Sequence, residues 1–320
     1  MIPPSLPSRY RGALLGLAAG DALGTPLEFK LPGSFEPIPD LVGGGPVGLA
    51  PGQWTDDTSM ALCLASSLVE TGGFDPLDQM RRYLRWYRDG EWSSTGRCFD
   101  IGNTVRSALA RFEASGEPYA GSTDPYAAGN GSLMRLAPIP MAYARHPERA
   151  VHYAGQMSRT THAAAEAVDA CRFYAGLIVG ALQGVPKAEL LAPMYAPQPG
   201  LWVSAPLSPR IAEVAAGSYR ETLASEIHGT GYVVQALEAA LWAFWSTDDF
   251  RTGALAAVNL GEDADTTGAI YGQLAGAHYG VEPIPPAWRE KLARQDQILG
   301  LADALADASA ELAADPATGS

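Results

Sequence analysis

One stretch decides how this chain folds: Gly52-Gln53-Trp54-Thr55-Asp56-Asp57-Thr58-Ser59-Met60. It places two adjacent carboxylates between two hydroxyl groups, where the apolar pattern of a helix predicted over residues 59–70 begins. Asp and Thr at such a junction are typical of a helix cap, which contributes about 0.5–2 kcal/mol. From this stretch alone, a cap and a functional site are equally good interpretations.

A second acidic cluster stands far along the chain and reads Gly261-Glu262-Asp263-Ala264-Asp265-Thr266-Thr267-Gly268. It also leads into an apolar helix, predicted over residues 266–279. Together the two junctions can offer four carboxylates and several hydroxyl oxygens to one point. Such oxygen ligands suit Mg²⁺, Mn²⁺ or Ca²⁺, whereas Zn²⁺ prefers His and Cys. Four carboxylates without cations would repel one another, so a shared site predicts at least one divalent ion and favours two.

Composition excludes several classes of protein. The 320 residues are 47% hydrophobic and contain no linker-like segment, so we expect one domain over residues 1–312 and a frayed tail over residues 313–320. The 35 acidic residues outnumber the 22 basic ones, and the net charge of −13 argues against a nucleic-acid or membrane surface. Three widely spaced cysteines fit reduced thiols, and no signal peptide or membrane-spanning run is evident. We therefore expect a cytoplasmic monomer.

The hydrophobic periodicity predicts an all-α fold, an orthogonal helical bundle. Small residues at positions 12, 16, 20 and 24 share one face of a helix predicted over residues 9–24, which indicates close approach of another helix. Long helices are also predicted over residues 161–182 and 288–312, and Leu201-Trp202-Val203 is the one short strand candidate. Residues 31–53 are rich in Gly and Pro and predict a loop of the kind that serves as a lid or binding loop.

Five further positions could carry chemistry, and each has a structural alternative. Glu28 lies in a turn, where it could be a solvated surface residue, and Asp100 precedes a helix that it could simply help to start. The stretch Gly129-Asn130-Gly131-Ser132 could present backbone N–H groups to a phosphate at a helix start, although turn chemistry also explains it. His162 could cap a helix or reach a ligand. Tyr232 could stack on a base or belong to the core.

As a set, these stretches closely resemble the ADP-ribosylglycohydrolase family, that of the dinitrogenase reductase-activating glycohydrolase. The motifs follow the family order from about residue 9 to about residue 280, and so cover most of the chain. They are Gly20-Asp21-Ala22-Leu23-Gly24 with Pro26 and Glu28, Trp54-Thr55-Asp56-Asp57-Thr58, Phe99-Asp100-Ile101-Gly102-Asn103-Thr104, Gly129-Asn130-Gly131-Ser132-Leu133-Met134-Arg135, Thr161-His162, and residues 261–268.

The resemblance implies an all-α enzyme that binds two Mg²⁺ or Mn²⁺ ions and removes ADP-ribose from an ADP-ribosylated protein or another ADP-ribosylated substrate. It implies carboxylates near the metals and the scissile ribose at Glu28 and Asp100. The implied metal ligands are Thr55, Asp56, Asp57, Asp263, Asp265 and Thr266. The implied ADP-ribose-binding positions are Gly129, Asn130, Gly131, Ser132, His162 and Tyr232. Glu262 departs from the glycine of some members, which could alter substrate access.

The residues and the resemblance agree on hydrolysis at ribose C1″, with Asp100 or Glu28 as general base for a water or general acid for the leaving group. Three alternatives stay open: an inactive ADP-ribose-binding or structural member of this fold, a dinuclear metal phosphohydrolase, and a helical interaction module whose Asp residues are only caps. The bond that is cleaved is also open among arginine, serine, poly-ADP-ribose, nucleic-acid and small-molecule linkages. We expect specificity to lie in the loops at residues 31–53, 90–98 and 193–208.

Overall fold

The fold is built from α-helices. The computed structural model of the protein describes residues 3–314, with side chains as far as residue 312. Within that range the β-structure is limited to isolated bridges, and the expected all-α class is confirmed. The helices are α1 (Leu6–Gly24), α2 (Asp56–Thr71), α3 (Pro76–Asp89), α4 (Asn103–Ser115), α5 (Pro138–Ala142), α6 (Pro147–Arg159), α7 (Ala165–Leu182), α8 (Lys187–Leu190), α9 (Leu201–Ser204), α10 (Pro209–Ala216), α11 (Val233–Ser246), α12 (Phe250–Val258), α13 (Ala264–Tyr279), α14 (Pro286–Lys291) and α15 (Gln295–Ala314).

The central pair of helices is α1 and α13, and both are buried on nearly all sides. A helix that is apolar all round belongs in the interior of a bundle. Their contact is made by facing glycines, because a Cβ at Gly16 or Gly20 would overlap the backbone of Gly272 or Gly268. The close approach that the small residues of α1 predict is therefore confirmed, and α13 is the partner.

Three helix ends meet at one end of this pair. The last turn of α1, the first turn of α2 and the first turn of α13 carry Asp21, Asp57 and Asp265, and all three side chains are buried. The segment between Leu27 and Asp56 contains turns and one bridge, Gly44 to Leu49, but no helix, as the sequence predicts.

Three local predictions are wrong, and long-range contacts explain two of them. The helix predicted over residues 288–312 is divided into α14 and α15, because the N–H of Ala293 donates to the carbonyl of Gly52 at 2.9 Å instead of continuing the helix. The helix predicted from residue 161 begins at Ala165, because residue 162 pairs with Ser122 in a bridge. The strand candidate at residues 201–203 lies in the short helix α9, which follows Gly200 in the left-handed region.

The end of the chain is helical for two residues more than expected, since α15 continues to Ala314. The rest of the predicted frayed tail, residues 315–320, lies outside the described residues. Across the described range, each helix is too short or too polar to cross a membrane. The three cysteines are free thiols.

Candidate active site

The two acidic clusters of the sequence converge on the hydroxyl of Thr55. Its Oγ1 lies 2.9 Å from an oxygen of Asp21, 3.0 Å from one of Asp57 and 3.3 Å from one of Asp265. Asp56 and Asp265 also border the same cavity. The prediction that loops from opposite ends of the chain meet at one point is confirmed.

The alternative that these residues are only helix caps does not fit the geometry. Thr55 and Asp263 occupy the N-cap positions of α2 and α13, yet neither side chain accepts a capping hydrogen bond. Elsewhere in the chain Asp75 and Asp249 do cap their helices, Asp75 accepting from two backbone N–H groups of the first turn and Asp249 from one. The polar groups of Thr55 and Asp263 are thus directed to other side chains.

Asp21 organises this cluster, and the sequence analysis did not assign it a role. One of its oxygens accepts from the N–H and the hydroxyl of Thr55, and the other accepts from the N–H and the hydroxyl of Thr58. Asp21 therefore holds the start of α2 against the end of α1. The sequence feature that could have identified Asp21 is that it is the one polar residue between Gly12 and Gly24 of α1.

The oxygen atoms at this point are suited to a divalent cation. Two sets of three carboxylates each bring one oxygen within 4.8 Å of the others, Asp21 with Asp57 and Asp265, and Glu28 with Asp100 and Asp265. The single proton of the Thr55 hydroxyl can satisfy only one of the three carboxylates around it. Oδ1 of Asp57 and Oδ2 of Asp100 are also buried without a partner among the described residues. A hard cation would satisfy these oxygens.

Burial raises the pKa of every carboxyl group in the cluster, and repulsion between the carboxylates adds to this for most of them. Burial followed by the charge of Asp100 raises the pKa of Glu28 to about 8, and burial followed by Asp263 raises that of Asp100 to about 6. Burial and neighbouring carboxylates raise the pKa values of Asp57 and Asp265 well above the ordinary range. Bound cations would oppose this trend by favouring the ionised forms.

A cavity of about 540 Å³ opens above the cluster, within the range of small-molecule sites. It collects most of the residues that the sequence analysis singled out, with Glu262 and Phe29 at its border. Thr55 and Asp57 belong to the cluster but lie beneath the cavity wall and do not line it. The predicted site residues in its wall are Glu28, Asp56, Asp100, Gly129, Asn130, Gly131, His162, Asp263, Asp265 and Thr266.

The stretch Gly129-Asn130-Gly131-Ser132 forms turns, so its placement at a helix start is wrong. Two of its N–H groups are used within the protein, since Gly129 donates to Ala127 and Asn130 donates to Gly231. Its glycines instead make room for an imidazole, because a Cβ at Gly131 would lie 2.8 Å from Cε1 of His162. The Asn130 amide donates to Asp263 at 2.6 Å and so holds the second acidic cluster.

Two predicted ADP-ribose-binding residues lie outside the cavity wall. Ser132 is fully buried, and its hydroxyl lies 2.8 Å from that of Ser158. Tyr232 borders an adjoining recess of about 620 Å³ that shares Gly129 with the cavity, and its hydroxyl donates to Glu166 at 2.7 Å. Ser132 is therefore a supporting residue, whereas Tyr232 faces space next to the cavity.

Comparison with known proteins gives consistent results. Residues 2–314 match the family model described as ADP-ribosylglycohydrolase. The chain is 47% identical over 308 residues to an ADP-ribosylarginine hydrolase, Tri1, of Pseudomonas putida, covering 96% of this chain and 80% of that one. It is 32% identical over 299 residues to the ADP-ribosyl-[dinitrogen reductase] glycohydrolase of Rhodospirillum rubrum, covering 91% and 92%.

A solved structure described as an ADP-ribosylglycohydrolase-related protein complex has the same fold. It superimposes with a TM-score of 0.83 at 47% sequence identity, covering 95% of this chain and 99% of the other. The all-α fold, the convergent acidic clusters and the match along nearly the whole chain agree. The chain is an enzyme of the ADP-ribosylglycohydrolase family.

Proposed function

We propose that this protein is a metal-dependent hydrolase that removes ADP-ribose from ADP-ribosylated arginine by cleaving the N-glycosidic bond at ribose C1″. The observation that carries the proposal is the convergence of Thr55, Asp57 and Asp265 beneath a cavity of about 540 Å³. The arginine linkage is supported by the name of the Pseudomonas putida relative.

The proposed ligands of two divalent cations, Mg²⁺ or Mn²⁺, are Thr55, Asp56, Asp57, Asp263, Asp265 and Thr266. Asp265 belongs to both carboxylate sets. Bound there, the ions would supply positive charge to the substrate oxygens and lower the pKa of a bound water. Asp21 has all four of its hydrogen bonds from Thr55 and Thr58, so we assign it to positioning these two residues.

Glu28 and Asp100 are the proposed proton-transfer residues. Both line the cavity, and both have a carboxylate oxygen within 4.8 Å of Asp265. Each can carry one proton at the cavity wall, so that one can act as the acid and the other as the base. Together they would protonate the departing guanidine and deprotonate the attacking water, so that ADP-ribose and free arginine are released.

The experiment is a panel of ADP-ribosyl substrates incubated with the purified protein, with Mg²⁺, with Mn²⁺ or with EDTA. We expect metal-dependent release of ADP-ribose from the arginine-linked substrate. Release from a different linkage would show that arginine is not the linked group. Release of phosphate would identify a phosphohydrolase instead. Binding of ADP-ribose with no turnover on any linkage would identify an inactive member of the family.

Variants of the acidic clusters test the site directly. Asp56→Ala and Asp265→Ala should each abolish ADP-ribose release while the helical content is unchanged, because each removes an oxygen from the proposed cation site. Asp296→Ala is the matched control, since this Asp also stands in a first helical turn but is exposed on α15. Wild-type turnover by the Asp56→Ala and Asp265→Ala double variant would contradict the proposed site.

A further inference from the structure

A chain of hydrogen bonds leads from a buried arginine to the imidazole in the cavity wall. Nη2 of Arg135 donates to the hydroxyl of Thr161 at 2.7 Å, and that hydroxyl lies 2.8 Å from Nδ1 of His162. All three side chains are at most 2% exposed. The other ring nitrogen of His162, Nε2, makes no hydrogen bond within residues 3–314 and lies beside Gly129 and Gly131 at the cavity wall.

Proton counting decides the direction of the bond between Thr161 and His162. The Arg135 guanidinium can only donate, so the Thr161 oxygen is an acceptor towards it. The hydroxyl proton of Thr161 then has one acceptor within reach in the described chain, Nδ1 of His162. If Nδ1 carried the proton instead, the Thr161 proton would be buried without an acceptor, at a cost of about 1–3 kcal/mol.

We propose that Arg135 and Thr161 are positioning residues that hold His162 as the tautomer with its proton on Nε2, so that the ring presents an N–H donor to the cavity. The inference rests on the proposed function in one respect, that the oxygen atom receiving this N–H belongs to ADP-ribose. Arg135 thereby acts on the ligand through two intervening side chains.

The surroundings of Arg135 support this role. Its guanidinium is fully buried, forms no ion pair with a carboxylate of the described residues, and lies 4.8 Å from the ring centre of Tyr83. A buried unpaired cation is costly, so a purely structural position would favour an apolar side chain. Burial and the Arg135 charge lower the pKa of His162 to about 3, which keeps the ring neutral and leaves a single ring proton to be placed.

A second chain of hydrogen bonds fixes the backbone of His162. The Ser158 hydroxyl donates to the His162 carbonyl at 2.8 Å, and the Ser132 hydroxyl lies 2.8 Å from that of Ser158. The Cys171 thiol in turn donates to Ser132. This explains why Ser132 is buried away from the cavity: it holds the residue that reaches the ligand.

The tautomer can be measured without any substrate. Long-range ¹H–¹⁵N NMR spectra of the full-length protein labelled at histidine distinguish a ring protonated on Nε2 from one protonated on Nδ1. We expect His162 to show the Nε2–H pattern in wild type and in Thr161→Ser, which keeps the hydroxyl. In Thr161→Val we expect a mixture of the two patterns. An Nδ1–H pattern in wild type would overturn the proposal whether or not the protein proves to be a hydrolase.

Calorimetric titration with ADP-ribose tests the consequence for the ligand. Thr161→Val should weaken binding about tenfold, equivalent to about 1.4 kcal/mol, and Thr161→Ser should restore it. Thr160→Val is the matched control, because this neighbouring hydroxyl is equally buried but bonds to Met157 and Gln79 instead. An equal loss of ADP-ribose affinity in the two valine variants would show that Thr161 has only a structural role, and would overturn the proposal. Arg135→Met should reproduce the Thr161→Val spectrum. A folded Arg135→Met variant with the wild-type spectrum would show that Arg135 does not set the His162 tautomer.

Discussion

The body of the α1–α13 pair and its acidic end have opposite effects on stability. Along most of its length the pair is joined by facing glycines, whose backbones lie in direct contact. At the end that carries Asp21 and Asp265, the same helices bring together buried carboxylates whose pKa values are raised by burial. The packed part stabilises the fold, while the acidic end, without cations, opposes it.

This contrast shows how a buried acidic cluster can be kept in place. Close backbone packing over several turns holds α13 against α1, and the hydrogen bonds from Thr55 and Thr58 to Asp21 hold the start of α2 against the same end of α1. The repulsion between Asp57 and Asp265 therefore cannot be relieved by movement. The carboxylates are therefore already close together before cations bind. Three predictions test this comparison, from the largest expected effect to the smallest.

Replacing a glycine in the packed body of the pair should have the largest effect. In Gly272→Ala the new methyl group would overlap the carbonyl of Gly16, which is backbone and cannot rotate away. We expect a loss of about 3 kcal/mol in the free energy of unfolding. Gly300→Ala is the control, because a Cβ there has no neighbour within 4 Å and the helix α15 should gain about 0.5–1 kcal/mol. Urea unfolding measures both, and equal stabilities would refute the packing argument.

Without cations the acidic end should lower the free energy of unfolding, and bound cations should raise it. A carboxyl whose pKa is higher in the folded than in the unfolded protein destabilises the fold once it ionises. The penalty is absent below about pH 4, the ordinary carboxyl pKa, and grows until the folded pKa values are passed, about 6 for Asp21 and Asp100 and about 8 for Glu28. In EDTA, this cluster should therefore lower the free energy of unfolding progressively from about pH 4 to about pH 8.

Thermal unfolding with EDTA and with Mg²⁺ across this pH range measures the effect. At a free ion concentration of a hundred times Kd, Mg²⁺ should restore about 2.7 kcal/mol at the alkaline end. Asp57→Asn should lose part of the pH dependence in EDTA and part of the Mg²⁺ effect, whereas Asp296→Asn, on an exposed helix start, should match wild type. A Tm that is the same with Mg²⁺ as with EDTA would contradict the cation site.

The smallest effect is expected at the rim of the cavity, where a carboxylate is only partly buried. Glu262 lines the cavity, and its backbone has a φ of +57°. Its carboxylate oxygen Oε1 lies 3.3 Å from Nδ1 of His228. Glu262→Gly should raise stability by up to about 1 kcal/mol, since glycine adopts this conformation freely. It should also raise KM for an arginine-linked substrate, because a carboxylate at the mouth attracts a guanidinium.

A second variant separates charge from backbone at this position. Glu262→Gln keeps the left-handed residue and removes the charge, so it should reproduce the change in KM without the gain in stability. The measurement is steady-state release of ADP-ribose from arginine-linked and serine-linked substrates, together with urea unfolding. An unchanged preference between the two substrates in both variants would exclude Glu262 from substrate selection.

The sequence by itself determined those features whose signals are local. Helix α3 begins and ends at local signals, because Asp75 caps its first N–H groups and Gly90 takes the left-handed conformation that ends it. The all-α class, the glycine face of α1 and the two acidic clusters were likewise readable, since periodicity and residue type within a few turns are enough to specify them.

The tertiary structure alone decided what depends on residues far apart in the chain. The break between α14 and α15 exists because Ala293 bonds to Gly52, and Asp21 joins the acidic cluster because Thr55 and Thr58 reach it from another helix. The same holds for Ser132, whose partners come from α6 and α7. A hydrogen bond between residues distant in sequence leaves no periodic pattern in either segment, so only the packed fold reveals which side chains meet.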